Sequence, residues 1–326
     1  MTPVEIVAPI TAADLETDVR WLSGEDALSD GPIVSRDLHH PDLARARDVL
    51  HERLSALPGM VVREEPFTVD GVPGALPGVA NLVADLPGKD PSAPMLVIGA
   101  HYDSIASFDD GWTDPATMAA PGADDDASGV AVVLAIAGAL AGYEPGFERP
   151  VRFVLFSAEE YGLLGSFAHV DALAEPVDAM IQMDPVGYDP GDRAWLWVTH
   201  DEPSVALGDA FEATAIASGA VLTVNPVDAA DIGGDERSDH YPFWAAGIPA
   251  LHLASFPQPP TYHTMGDTMA NVDVTFTREV AVAVGAFAAE RAGPLEPEPR
   301  GCATSAASPT LGLLFAAMLL APRRTR

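Results

Sequence analysis

Met95-Leu-Val-Ile-Gly-Ala100 runs directly into His101-Tyr102-Asp103-Ser104, and that junction sets the reading of the fold. A short apolar run bounded by turn signals has the length of a buried strand rather than a helix. The same design recurs downstream. Residues 151–156 form a strand that ends at Ser157-Ala158-Glu159-Glu160, 179–183 one that ends at Asp184, and 250–254 one that leads to the loop containing His263. Further strands are expected at 60–69, 80–86, 194–199 and 221–224. Helical patterns separate them at 126–141, 162–170, 204–218, 239–246 and 273–291. Upstream, 37–57 reads as an amphipathic helix, with Leu43, Val49, Leu50 and Leu54 near helical spacing. Strands alternating with helices predict an α/β fold with a mostly parallel central sheet and helices on both faces. In such sheets the ligand crevice lies beyond the carboxyl ends of the strands. His101, Glu159, Glu160, Asp184 and His263 all follow apolar runs, so the topology brings them to one rim.

The 326 residues, 48% of them hydrophobic, suffice for a sizeable core. A formal net charge of −31 repels phosphate backbones, which argues against a nucleic-acid partner and favours cations, the ammonium end of a peptide included. The one cysteine, Cys302, lies close to the C-terminus. The body therefore has no disulfide and no thiolate site, and any metal must be held by histidine and carboxylate. No Gly-x-Gly-x-x-Gly or Walker loop is present, which leaves nucleotide binding unsupported.

Two ions about 3.5–4 Å apart need a bridging ligand, usually a carboxylate. Asp125, at the centre of Pro121-Gly-Ala-Asp-Asp-Asp-Ala-Ser-Gly129, is the candidate bridge. His101 and Asp184 would complete one site, Glu160 and His263 the other. Asp103 is placed to accept the spare ring N–H of His101 and fix its tautomer. Glu159 is left as general base, taking a proton from water and passing it to the departing amine. Singly, each of these residues reads as well as a cap or a solvated polar group: an acidic triplet suits a helix N-terminus, and glycines punctuate turns. Their joint placement at the rim of one sheet favours the metal reading. Ser238-Asp239-His240 has the residue types of a catalytic triad, but three neighbours on one segment cannot form the relay. Asp239 and His240 read as supporting or helix-start groups. His39, His40, His51, His169, His200 and His252 read as surface or structural.

At these residues the chain resembles the di-zinc aminopeptidases of the bacterial leucyl aminopeptidase and aminopeptidase Y type. The resemblance runs from about 11 to 293. It is carried by His101-Tyr-Asp-Ser104, the 121–129 loop, Phe156-Ser-Ala-Glu-Glu-Tyr-Gly-Leu-Leu-Gly-Ser166, Gln182-Met-Asp184, Ser238-Asp-His240 and Tyr262-His-Thr264. It implies two Zn2+ per chain on His101, Asp125, Glu160, Asp184 and His263, with Asp125 bridging and Glu159 as base. It also implies peptide substrates with a free N-terminus. The stretch 233–237 lacks the cysteine pair of some secreted members, so side-chain preference does not transfer. Three other readings stay open: a one-zinc glutaminyl cyclase, a di-zinc carboxypeptidase in which Arg237 would meet the substrate carboxylate, and a non-catalytic ectodomain.

The domain expected at 1–295 is followed by a Pro/Ala/Ser-rich linker at 296–310 containing Cys302. The apolar stretch 311–321 comes next, closed by Arg323, Arg324 and Arg326. Eleven apolar residues rise only ~17 Å as a helix, and adding the small residues before them brings the segment to about a minimal ~20-residue span. The tail is similar to myxobacterial surface-protein sorting signals, with Cys302 as the processing or anchoring point. That likeness implies an exported, cell-surface or secreted protein whose tail contacts a membrane or the sorting machinery. No signal peptide is visible in residues 1–10, so export implies a leader upstream of the given start.

Overall fold

The computed structural model describes residues 1–191 and 193–297. Met1–Glu296 packs as one compact unit. Cys302, the apolar stretch and the terminal arginines lie outside the described residues, and so does the sorting reading that rests on them.

Eight strands build a single sheet: β1 (Val61–Pro66), β2 (Ala80–Leu86), β3 (Met95–His101), β4 (Val151–Phe156), β5 (Val177–Met183), β6 (Trp195–His200), β7 (Thr223–Asp228) and β8 (Ala250–Ser255). Their order is β1-β2-β4-β3-β5-β8-β6-β7. The central four, β4-β3-β5-β8, are parallel throughout. Both flanks depart from the expected direction. β2 runs antiparallel to β4 and to β1, and β6 runs antiparallel to β8 while pairing parallel with β7. The sheet is thus mixed, with a parallel centre. That centre is what positions the site, because four carboxyl ends open on one rim.

The helices are α1 (Pro3–Val7), α2 (Ala12–Leu22), α3 (Asp42–Ser55), α4 (Ala127–Ala141), α5 (Leu164–Ala172), α6 (Val205–Ser218), α7 (Tyr241–Ala245) and α8 (Val274–Ala292). Side chains alternate between faces along each strand. Leu96, Ile98, Leu155, Ile181 and Leu251 point into the larger core, which also takes buried residues of α1, α2, α4, α6 and α8. Val97, Val154, Met180 and Val83 point the other way, against Phe243 of α7 and Val170 of α5. Helix α4 is buried along most of its length. Its small side chains suit it for the interior, where a polar face would go unsolvated. Among the described residues no helix is long and apolar enough to cross a membrane.

Candidate metal centre

His101 is the last residue of β3, and Asp184 follows β5 directly. Glu159 and Glu160 sit in the turn after β4, between Ala158 and Leu163, whose φ values of 60° and 61° lie in the left-handed region. His263, in the loop after β8, has φ 55°. Such backbone costs about 1–3 kcal/mol per residue and persists only where the surroundings fix it. Three of the four non-glycine residues with positive φ among those described therefore flank or belong to the predicted site. Asp125 enters α4 through Asp126, whose side chain caps the helix at Gly129 N. The Asp125–Asp126 peptide is cis.

The five residues expected to bind metal come together. His101 Nε2 lies 3.0 Å from Asp125 Oδ1 and 3.4 Å from Asp184 Oδ1. His263 Nε2 lies 2.9 Å from Asp125 Oδ2 and 2.9 Å from Glu160 Oε2. Buried Asp125 Oδ2 and Glu160 Oε1 nevertheless have no hydrogen-bond partner. His101 Nε2 also reaches Asp184 Oδ1 with hydrogen-bond geometry. But a buried carboxylate oxygen left without a partner beside an imidazole nitrogen, as Asp125 Oδ2 is, is what a shared cation would satisfy. The nitrogen and oxygen donor set suits zinc. His101, Asp125 and Glu160 form one candidate metal cluster, and His101, Asp126 and Asp184 another.

The electrostatics match a cation site. Burial raises the Asp125 carboxyl, but the His101 and His263 rings outweigh it and hold the group well below the usual range. Burial and then Asp125 push Glu160 up to about 8. Burial opposes protonation of His263, yet Asp125 and Glu160 bring it up to about 10. Glu159 is raised well above a normal carboxyl, first by burial and then by Asp184 and Glu160, against the lowering effect of His101. Its Oε2 stands 4.0 Å from His101 Nε2, farther out than the ligand oxygens.

Asp103 meets His101 through its backbone. His101 Nδ1 lies 3.2 Å from the Asp103 carbonyl oxygen and 3.7 Å from its Oδ1. The carboxylate instead accepts the backbone N–H groups of Glu159 and Glu160 at 3.2 and 3.3 Å. The carbonyl can accept a ring proton at Nδ1, the tautomer that would turn the Nε2 lone pair toward a bound metal.

Sequence reasoning passed over several neighbours. Asp267, four residues after His263, accepts the backbone N–H groups of Asp124 and Asp125. Tyr262 stacks on the His263 ring at 3.8 Å. Burial, then Asp125, Asp184 and Glu160, raise its hydroxyl and keep it neutral. His252 is buried, with Nε2 donating to the Asp184 carbonyl oxygen and Nδ1 2.8 Å from Asp235 Oδ2. Asp235, His240 and His252 lie close enough to be a third candidate cluster. However, the two imidazoles stack at 4.6 Å and 15°, which sets their in-plane lone pairs side by side rather than at one centre. Arg237 is exposed and paired to Asp235 at 3.0 Å.

Residues 81–288 match the model of peptidase family M28. The chain belongs to this family. It is 32% identical over 241 residues to a probable lipoprotein aminopeptidase of Mycobacterium tuberculosis, an alignment covering 62% of this chain and 44% of that protein. The chain spans between 28% and 64% of the length of the first curated relatives it matches. In fold it is similar to the LapA aminopeptidase of Legionella pneumophila, with TM-score 0.73 and 24% identity, covering 90% of this chain and 75% of that one. It is also similar to a Porphyromonas gingivalis glutaminyl cyclase, with TM-score 0.69 and 23% identity, covering 86% and 99%.

Proposed function

We propose that this M28 chain is a two-zinc aminopeptidase that removes the N-terminal residue from peptides. One observation carries the reading: the two oxygens of Asp125 each face a different imidazole, at 3.0 and 2.9 Å. That arrangement fits a bridging carboxylate. His101 and Asp184 would hold one ion, Glu160 and His263 the other. When bound, the two ions supply Lewis-acid polarisation of the scissile carbonyl and of the attacking water. Glu159 takes a proton from that water and delivers it to the amine as the C–N bond breaks. Tyr262, stacked on His263 and kept neutral at its hydroxyl, is the group available to donate to the oxygen on which charge develops. The remaining negative charge attracts the free α-ammonium of the substrate.

Export to the cell surface or medium belongs to the same proposal, supported by the relative named a lipoprotein aminopeptidase. The glutaminyl cyclase of the same fold is the reading to test against. It needs one zinc and yields a cyclised N-terminus. The test pairs metal analysis with aminoacyl p-nitroanilides. Two zinc ions per chain, with release from free but not acetylated N-termini, is the expected result. One ion per chain together with cyclisation of N-terminal glutamine would sink the proposal.

A further inference from the structure

The matched family stretch begins at residue 81, yet a short segment well upstream of it reaches three of the loops that carry the metal-site residues. Arg36 is fully buried. Its guanidinium donates to four backbone carbonyls: Leu22 O at 2.7 Å, Tyr102 O at 2.8 Å, Pro121 O at 2.7 Å and Gly122 O at 2.8 Å. Tyr102 follows His101, and Pro121-Gly122 opens the loop that presents Asp125. The backbone of Arg36 engages the same region, its N–H donating to Ser104 Oγ at 3.2 Å while Ser104 Oγ donates to Ala120 O at 2.7 Å. Ser35 and Ala120 form a parallel bridge. Next in the chain, buried Asp37 accepts the Tyr161 hydroxyl at 2.6 Å. Tyr161 follows Glu160.

Desolvating a guanidinium is costly, and a buried Arg normally meets a carboxylate. Arg36 forms no ion pair among the described residues and spends its donors on neutral carbonyls. The fixed cation is left to face the carboxylates of Asp267, Asp126, Asp103 and Asp125 across the loop backbone. The packing is also tight. At Gly122 (φ 54°) a Cβ would stand 2.9 Å from Arg36 Nη2 and 2.3 Å from Asp125 O.

We infer that the segment Ser35-Arg36-Asp37 is a wall of the metal centre: Arg36 is a positioning residue for the loops presenting His101 and Asp125, and Asp37, acting through Tyr161, for the turn presenting Glu160. The inference rests on the two-ion reading and adds an asymmetry to it. Asp125 serves both ions, whereas Glu160 serves one. Loss of the Tyr161–Asp37 link should therefore weaken one ion, and loss of the Arg36 anchor both.

The experiment measures zinc affinity by chelator competition in full-length protein, alongside the thermal stability of the metal-free form. Groups that orient metal ligands change affinity about 10–100-fold when removed. Wild type should bind two ions. In Tyr161→Phe one ion should bind as in wild type and the other about 10-fold or more weaker, and in Arg36→Lys both should weaken. If the variants lose stability but bind both ions with wild-type affinity, the segment merely holds the fold and the inference fails. Should Arg36→Lys not fold, Tyr161→Phe decides alone. Wild-type protein that binds fewer than two ions overturns the two-ion reading, and this inference with it.

Discussion

Glu159 and Glu160 are consecutive in the chain but face different surroundings. Glu160 Oε2 sits 2.9 Å from His263 Nε2, while Glu159 Oε2 stays 4.0 Å from His101 Nε2. On the proposed reading the first position would be that of a ligand and the second would leave space for water. Replacing Glu159 with Gln should therefore keep both ions and cost about 10²-fold or more in kcat. Metal analysis and p-nitroanilide kinetics check both halves, and an unchanged kcat removes Glu159 as the base. Tyr262→Phe tests the neutral donor stacked on His263. One donor to a developing oxyanion is worth about 10²–10³ in kcat, so the loss should appear there more than in KM. The convergence of the seven expected residues could be anticipated because His101, Asp103, Glu159, Glu160 and Asp184 end or follow strands and Asp125 stands before a helix, while His263 was placed only by the loop after β8. Tyr262, Asp267 and Arg36 gave no such signal. Tyr262 entered only as part of the Tyr262-His-Thr264 stretch, with no role of its own, and Arg36 lies 65 positions from His101 in sequence. Its role arises only when separate loops close around it.

At the scale of elements, the junction of loop and helix at Asp126 couples the helix to the metal strand. One oxygen of Asp126 accepts Gly129 N at 2.9 Å and caps α4, and the other accepts His101 N at 3.2 Å. An amide can replace only one of these acceptors, and its NH2 group would face the other backbone donor. Asp126→Asn should cost about 1–3 kcal/mol, the penalty for a buried unsatisfied donor. Denaturant unfolding of the metal-free protein measures it, and a loss below half a kcal/mol would show that the cap and the strand end are independent. The strands bearing site residues were legible because length and apolar composition mark a buried parallel strand. Strand direction at the flanks was not. β2 and β6 are as apolar as their neighbours, and nothing local distinguishes the antiparallel pairs they form with β4 and β8. α1 and α2 were passed over too, though Thr11 caps α2 at Asp14 N and Leu15, Val19 and Leu22 lie on its buried face.

For the molecule as a whole, the acidic charge and the raised carboxyls of the centre make metal and proton compete for stability. In the metal-free protein Glu160 is pushed up to about 8 from an ordinary 4.5, by burial and then by Asp125. His263 reaches about 10 from 6.5, because Asp125 and Glu160 outweigh its burial. The folded state thus binds more protons than the unfolded chain across this range. The stability they contribute is complete below about pH 4 for Glu160 and below 6.5 for His263, and it is lost as pH rises through 8 and 10. His240, pushed down to about 3 chiefly by burial, has the opposite sign, but its contribution is complete above 6.5. Between about pH 6.5 and 8.5 the metal-free protein should therefore lose stability. Zinc displaces the same protons and binds only deprotonated ligands, so its stabilisation should grow over that interval. An ion present at about a hundred times its Kd adds about 2.7 kcal/mol per site. The gap in Tm between zinc-loaded and chelator-treated protein is expected to widen as pH rises from about 6.5 to 8.5. A gap that stays level or narrows would mean that the Asp125, Glu160 and His263 cluster does not exchange protons for metal, and the centre would lose its electrostatic rationale.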